Sequence, residues 1–411
     1  MTVTPAKIEG SLKSLLPETL RFLEELVRIN SFTRNVPGIR ANADRIIRQF
    51  TPLGFQAQRI QCSEAGTGEH LVLDTGGDGP VISCISHLDT VYPPEEEERN
   101  NFRWEPVGNR IYGPGTLDIK GGTAILWMLM KALSVNDPEL FRSIRWMLIW
   151  DAAEEGLTDD FGDVCRRVLP ANTLACLVFE PDNVREGGFG ILRSRKGSVK
   201  MRINVTGRGA HCGGQFDKGA NAVVQLARLV EKAAALSDLS KDLTVNVGSF
   251  HGGIVFNRIP HEAEALIDIR AYDIEYYQSA RDCILSFAGE GDVRAASDGF
   301  PCTIDVTIVK EIAPFPRNDQ TERLISCWTE AAATCGLSLE AGRRGCLSDG
   351  NRLWNSFPTL DGLGPRGANG HVSERSPDGS KEPEYVDVTS FVPKTLINYL
   401  GVVNLIEKSR G

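Results

Sequence analysis

Residues 144–156, IRWMLIWDAAEEG, set the reading of the whole chain. Apart from Arg145, the run from Ile144 to Trp150 is apolar, and it is too short for a buried helix. It fits a strand covered on both sheet faces. The chain then leaves this strand through Asp151-Ala152-Ala153 directly into Glu154-Glu155. Two adjacent carboxylates at the end of an apolar strand are costly to desolvate unless a cation or protons compensate them.

Working outward, Leu174–Phe179 is a second short apolar run, and Gly122–Leu133 reads as a helix. Leu71–Leu73 and Val81–Ser86 read as two strands joined by the tight Gly-Gly-Asp-Gly-Pro turn at 76–80. From Thr19 the residues Leu20, Leu23, Leu26 and Val27 recur at helical spacing. The rhythm is α/β. Near Arg195 it changes: Lys200–Thr206 alternates polar residues with Met201, Ile203 and Val205, the pattern of a sheet with one wet face. A helix over Ala222–Leu236, strands over Leu243–Phe250 and Ala263–Arg270, a helix over Ile274–Phe287 and a strand over Ile304–Val309 complete a β-α-β-β-α-β order. That order predicts a ferredoxin-like module of about a hundred residues inserted in a larger domain. Helices near Asp319–Cys335 and Val388–Ile406 return the chain to α/β character.

At 411 residues the chain exceeds one compact core, so two domains are expected. Its formal charge of -9, from 54 acidic and 45 basic residues, argues against a nucleic-acid partner. No stretch approaches the ~18–20 apolar residues of a membrane helix, and the N-terminus has no basic region followed by an apolar run. A soluble, cytoplasmic protein with no membrane partner is expected. The ten scattered cysteines include no C-x-x-C pair and read as reduced core thiols. The acidic run Glu95–Glu98 reads as a solvated loop, and His70, His251 and His261 as structural or exposed, without companion ligands.

The chemistry lies at strand ends. In SHLDTVYP the apolar run Val81–Ile85 ends in His87 and Asp89. Residues two apart on a strand point the same way, so Asp89 could hold the imidazole while its other nitrogen faces a metal. A satisfied histidine at a strand end would look the same. In YGPGTLDIKGG, Asp118 could offer one oxygen to each of two cations or simply cap the following helix. Leu174–Phe179 runs into Glu180-Pro181-Asp182, and GLGPRGANGHVSE supplies His371 from a glycine-rich loop. Together, His, Asp, Glu, Glu and His from separate strand ends and loops are the ligand types of a two-metal hydrolytic site.

The ordered series SHLDTV, YGPGTLDIKGG, DAAEEG, FEPD, GRGAHCGG, FNRIP and GANGH resembles the M20 metallopeptidases over nearly the whole chain. Within them it is similar to the glutamate carboxypeptidase (carboxypeptidase G2-like) branch. The resemblance implies a zinc-exopeptidase-like catalytic domain over residues 1–194 and 311–411, with a mixed sheet flanked by helices. Residues 195–310 would form the inserted α+β lid and dimerisation domain, giving a homodimer. It further implies two Zn2+ per chain, with Co2+ or Mn2+ also compatible with the donors. His87, Asp118 and Glu180 would hold one, and Asp118, Glu155 and His371 the other. Asp89 would steady His87, Glu154 would be the general base toward a water activated between the cations, and His211 would reach a partner protomer's site and donate to the oxyanion. Asn257 and Arg270 match substrate-binding positions, and Ser348, Asp349 and Asn351 match a loop near the substrate. Two positions depart from the pattern: Ile119 after Asp118, where the family's peptide is often cis, and Arg258 where valine is commoner.

The implied function is cleavage of the amide bond of a small peptide or N-acyl amino acid with a free C-terminal carboxylate. The open alternatives are another linear amide of N-acyl-ornithine, succinyl-diaminopimelate or carbamoyl type, or a homologue that holds metal without catalysis.

Overall fold

A computed structural model describes residues 4–156, 160–182 and 188–410. The chain divides into two compact units, Met1–Arg193 with Arg317–Arg343 and Ser348–Gly411, and Ser194–Pro316 with Arg344–Leu347.

The first unit is built on a six-stranded mixed sheet in the order Gln56–Gln61, Glu69–Asp74, Arg145–Asp151, Val81–His87, Ala175–Val178 and Thr359–Leu360. The last four are parallel, Glu69–Asp74 runs against them, and Gln56–Gln61 at the edge is antiparallel to Glu69–Asp74. Alternate residues of each strand enter different layers. Trp146, Leu148 and Trp150 join a core with the helices Pro5–Val27, Lys120–Asn136 and Phe391–Arg410. Met147 and Ile149 join a second core with Phe161, Cys165, Leu353 and Phe357 on the opposite face. Burial on both faces explains the nearly unbroken apolar runs of these strands.

The strands Glu69–Asp74 and Val81–His87 do follow one another through a tight connection, yet they are not neighbours. Arg145–Asp151 lies between them and pairs with both. The run Glu95–Glu98, expected as a loop, belongs to a short helix over Pro94–Arg99, in which Glu96 accepts from Ser373 Oγ.

The second unit carries a five-stranded antiparallel sheet in the order Thr244–Gly252, Glu262–Ala271, Gly197–Thr206, Pro301–Ile312 and Gly289–Arg294. Met201, Ile203 and Val205 face a core shared with the helices Ala222–Ala234 and Ile274–Leu285, while Lys200, Arg202 and Thr206 are exposed. This is the ferredoxin-like arrangement with one additional edge strand, Gly289–Arg294. Its sequence GEGDVR has no apolar alternation to betray it; edge strands are protected by such charges. All ten cysteines are free, but Cys212 and Cys346 are exposed, so the expectation of core thiols fails for those two.

Candidate active site

The parallel strands deliver their last residues to one edge of the sheet. His87 ends its strand opposite Asp151, and Glu180 follows the neighbouring strand by two residues. The His87 ring is buried and held from one side: Nδ1 lies 3.1 Å from the Asp89 carbonyl and 3.2 Å from Asp89 Oδ1. Two acceptors on that side place the ring proton on Nδ1. The lone pair of Nε2 then faces Asp118 Oδ1 at 3.2 Å and Glu180 Oε1 at 3.8 Å, an arrangement that calls for a cation or a proton between them.

Asp118 sits just before the helix Lys120–Asn136, and the Asp118–Ile119 peptide is cis. Its second oxygen, Oδ2, lies 3.5 Å from His371 Nε2, which is 3.1 Å from Glu155 Oε1. Asn369 and His371 both stand in the left-handed region, with φ of 64° and 70°, which turns the loop so that the imidazole meets the two carboxylates. Asp118, Glu155, Glu180, His87 and His371 are therefore brought together, and His87, Asp118 and Glu155 form one of two described groups whose donor atoms could hold a metal ion.

Asp89 does more than steady the ring. It is buried, its Oδ1 accepts from the Glu154 N–H at 3.1 Å, and its Oδ2 accepts from the Glu155 N–H at 3.2 Å and from Thr33 Oγ1 at 2.6 Å. Desolvation and the neighbouring Glu155, Asp118 and Asp89 charges push Glu154 up to about 8, despite the opposing His87. Desolvation and Asp118 push Glu155 up to about 7. Carboxylates so crowded that they resist ionising alone suit a donor set completed by divalent cations.

Ser348, Asp349 and Asn351 are buried in the same unit. Ser348 Oγ donates to Asp361 Oδ2 at 2.6 Å, and the Ser348 N–H donates to Asn351 Oδ1 at 3.1 Å. Asp349 lies close enough to Asp151 and Glu154 that burial and those charges raise its carboxyl well above the usual range.

In the second unit, His211 and Asn257 share one loop junction, where the Cys212 N–H donates to the Asn257 carbonyl at 3.1 Å. His211 is exposed, and its Nδ1 accepts from the Gly213 and Gly214 N–H groups at 3.1 Å each. In the neutral ring the proton then rests on Nε2, which can donate. Arg270 Nε donates to Asp268 Oδ2 at 2.9 Å, so the guanidinium is anchored at one edge.

Sequence reasoning missed several supporting groups. Glu384 is buried and accepts the Leu117 and Asp118 N–H groups on Oε1 at 2.7 and 3.1 Å, and the Tyr92 hydroxyl on Oε2 at 2.6 Å. Of this pair, Tyr92 stood in a motif, SHLDTVYP, and Glu384 did not. Lys120, in the GG-preceding position of YGPGTLDIKGG, donates its buried ammonium to the Ile29 carbonyl at 2.9 Å. His70 was expected to have no companion ligands. Instead its Nε2 lies 3.3 Å from Asp160 Oδ1 and its Nδ1 3.2 Å from Asp151 Oδ1, with Cys62 beside it.

The peptidase dimerisation domain model of the M20 peptidases matches residues 193–290. Carboxypeptidase G2 of Pseudomonas sp. (strain RS-16) is 25% identical over 386 residues, covering 92% of this chain and 87% of the relative. A succinyl-diaminopimelate desuccinylase of Methylorubrum extorquens is 30% identical over 274 residues, covering 62% of this chain and 68% of the relative. The crystal structure of the M20 family metallo-carboxypeptidase Sso-CP2 from Sulfolobus solfataricus superposes with a TM-score of 0.68 at 15% identity, over 95% of this chain and 99% of that one, a likeness of fold alone.

Fold and relatives together define a hydrolytic enzyme of the metallopeptidase and amidohydrolase class. Within that class the chain belongs to the M20 metallopeptidase family, whose members act on peptides or amides. Among the described residues no helix is long and apolar enough to cross a membrane.

Proposed function

We propose that this chain is a two-metal amidohydrolase that cleaves the amide bond of a small peptide or N-acyl amino acid with a free C-terminal carboxylate. The observation that carries the reading is the division of one carboxylate between two imidazoles: Asp118 turns Oδ1 to His87 and Oδ2 to His371. His87, Asp118 and Glu180 would hold one cation, and Asp118, Glu155 and His371 the other. Zinc suits these nitrogen and oxygen donors, and cobalt or manganese would also be accepted.

Divalent cations bound there supply a water of lowered pKa and polarise the amide carbonyl. Glu154, left out of both ligand sets, takes a proton from the attacking water and returns it to the leaving nitrogen. Asp89 holds Glu154 and Glu155 by their backbone N–H groups and so aims the two side chains differently. From the lid, His211 Nε2–H donates to the developing oxyanion. Arg270, steadied by Asp268, offers its terminal nitrogens to the substrate carboxylate as a two-pronged clamp. Asn257 and the loop of Ser348, Asp349 and Asn351 shape the substrate site.

The catalytic domain spans residues 1–194 and 311–411 and the lid 195–310, with hinges near Arg193–Arg195 and Lys310–Pro314. A homodimer through the lid, acting in the cytoplasm, completes the proposal. The name of the matching domain model and the exposed Ile254, Val255 and Phe256 of that unit support the pairing. The desuccinylase among the relatives supports a second reading, an N-succinyl amide as substrate.

The test is zinc content beside hydrolysis of a panel of N-acyl and N-succinyl amino acids, for wild type and Glu154→Ala. About two metals in a centre of this kind are expected to persist in the variant while turnover is lost. Metal retained with no cleavage of any carboxylate-bearing amide by the wild type would exclude the peptidase reading.

A further inference from the structure

A second cluster of metal-binding donors lies in the first unit, apart from the ligands assigned above. It comprises Cys62, His70 and Asp160, whose Sγ, ring nitrogen and carboxylate oxygen all lie within 4.8 Å of one another. Three elements build it. Cys62 follows the strand Gln56–Gln61, and His70 enters the antiparallel partner Glu69–Asp74, so the hairpin brings the two together. Asp160 comes from the N-terminus of the helix Phe161–Val168.

The orientation of each group points to a common centre. Asp160 is in the N-cap position of its helix, but its side chain makes no capping bond. It turns back instead: Oδ2 accepts the Ser63 N–H at 2.7 Å, and Oδ1 is left facing Cys62 Sγ at 3.6 Å and His70 Nε2 at 3.3 Å. Donors around a tetrahedral zinc are spaced about 3.4 Å apart for a nitrogen and oxygen pair, and about 3.6 Å for a sulfur and oxygen pair, given the usual bond lengths. The observed separations match both. Behind the ring, Asp151 Oδ1 lies 3.2 Å from His70 Nδ1, the place of the carboxylate that orients a ligating histidine. The Ala152 N–H donates to the same Nδ1 at 3.1 Å, so a cation held at Nε2 would have to move the ring proton to Nδ1 and exchange that bond for one to Asp151. Cys62 and His70 are buried, while the Asp160 side chain retains 18% exposure, which leaves an access side and an open fourth position.

We infer that Cys62, His70 and Asp160 form a separate binding site for a borderline-soft divalent cation such as zinc. Its place is supportive: Asp151, which orients His70, ends the strand that leads into Glu154 and Glu155 and lies opposite His87 in the sheet.

The donor chemistry allows a test independent of the catalytic centre, whose assigned ligands include no sulfur. The metal-free full chain is titrated with Co2+ and followed by absorption. A thiolate-to-cobalt charge-transfer band is expected in the wild type and in His87→Ala/His371→Ala, and is expected to be lost in Cys62→Ser and reduced in Asp160→Asn. Circular dichroism of each variant shows that it is folded. No such band in the folded wild type, or a band undiminished by Cys62→Ser, overturns the site and leaves the three residues as a hydrogen-bonded clasp. Failure of the two-metal reading would appear instead as missing band-free metal binding, with the thiolate signal intact.

Discussion

Asp89 Oδ1 accepts the backbone N–H of Glu154 at 3.1 Å, while the same carboxylate faces the ring of His87. One buried side chain thus joins a strand-end histidine to the turn that presents the two glutamates. Replacing it with asparagine keeps the volume but removes the charge that supports the His87 Nδ1–H. Asp89→Asn is expected to weaken metal binding by roughly 10–100-fold, the usual cost of losing such a partner. Competition with a chelator measures it, and unaltered affinity would take Asp89 out of this role.

Arg270 is anchored through Nε to Asp268, which makes it a pre-positioned fork. Loss of a charged hydrogen bond costs about 1.5–3 kcal/mol, or roughly 10- to 100-fold in binding. Arg270→Ala is expected to raise KM by that factor for substrates with a free carboxylate, with a smaller change in kcat. Arg270→Lys should restore it only in part, since a lysine cannot bind in two-pronged fashion. Equal losses on carboxylate-free amides would show that the residue has no part in selectivity.

Lys394 and Asp182 form an ion pair of 2.9 Å with neither side chain exposed, and Asp182 Oδ1 also accepts the Gly190 N–H at 2.7 Å. Removing one partner strands the other charge. Lys394→Met is expected to destabilise the fold by about 3–5 kcal/mol in chemical denaturation. Combining it with Asp182→Asn should recover part of that loss. A double variant no more stable than the single one would count against a stranded charge as the cause.

Asp74 gives an acid limb to the stability. Burial alone would raise its carboxyl, but the Arg145 guanidinium, bonded at 3.1 and 2.6 Å, and the Gly76 N–H outweigh burial and hold it below the usual range. A depressed carboxylate contributes in full above its unfolded pKa of about 3.9 and loses that contribution as pH falls through the folded value. Asp74→Asn is expected to cost up to about 1 kcal/mol near neutrality and to flatten the decline in stability below that range. Denaturant titrations at stepped pH check this, and parallel declines for wild type and variant would assign the acid limb elsewhere.

The amino-acid sequence by itself determined the layered α/β core, the inserted alternating-strand module and the strand ends that carry His87, Glu154, Glu155 and Glu180. Apolar periodicity reports burial directly, and a charged residue at the end of a fully apolar run stands out against it. Strand neighbours were another matter, because two strands joined by a six-residue connection, 75–80, still admit a third between them, and only sheet pairing put Arg145–Asp151 there. The tertiary structure alone decided the partners whose burial comes from loops meeting across the chain. Glu384 sits among Lys381, Glu382 and Tyr385 in a polar segment, so nothing local marks it as the buried acceptor of two backbone N–H groups. His70 likewise has no ligand-type cluster in its own segment that marks it. Cys62 lies eight residues before it and Asp160 ninety after, and contact between such distant positions is settled by packing, which leaves no periodic trace in the chain.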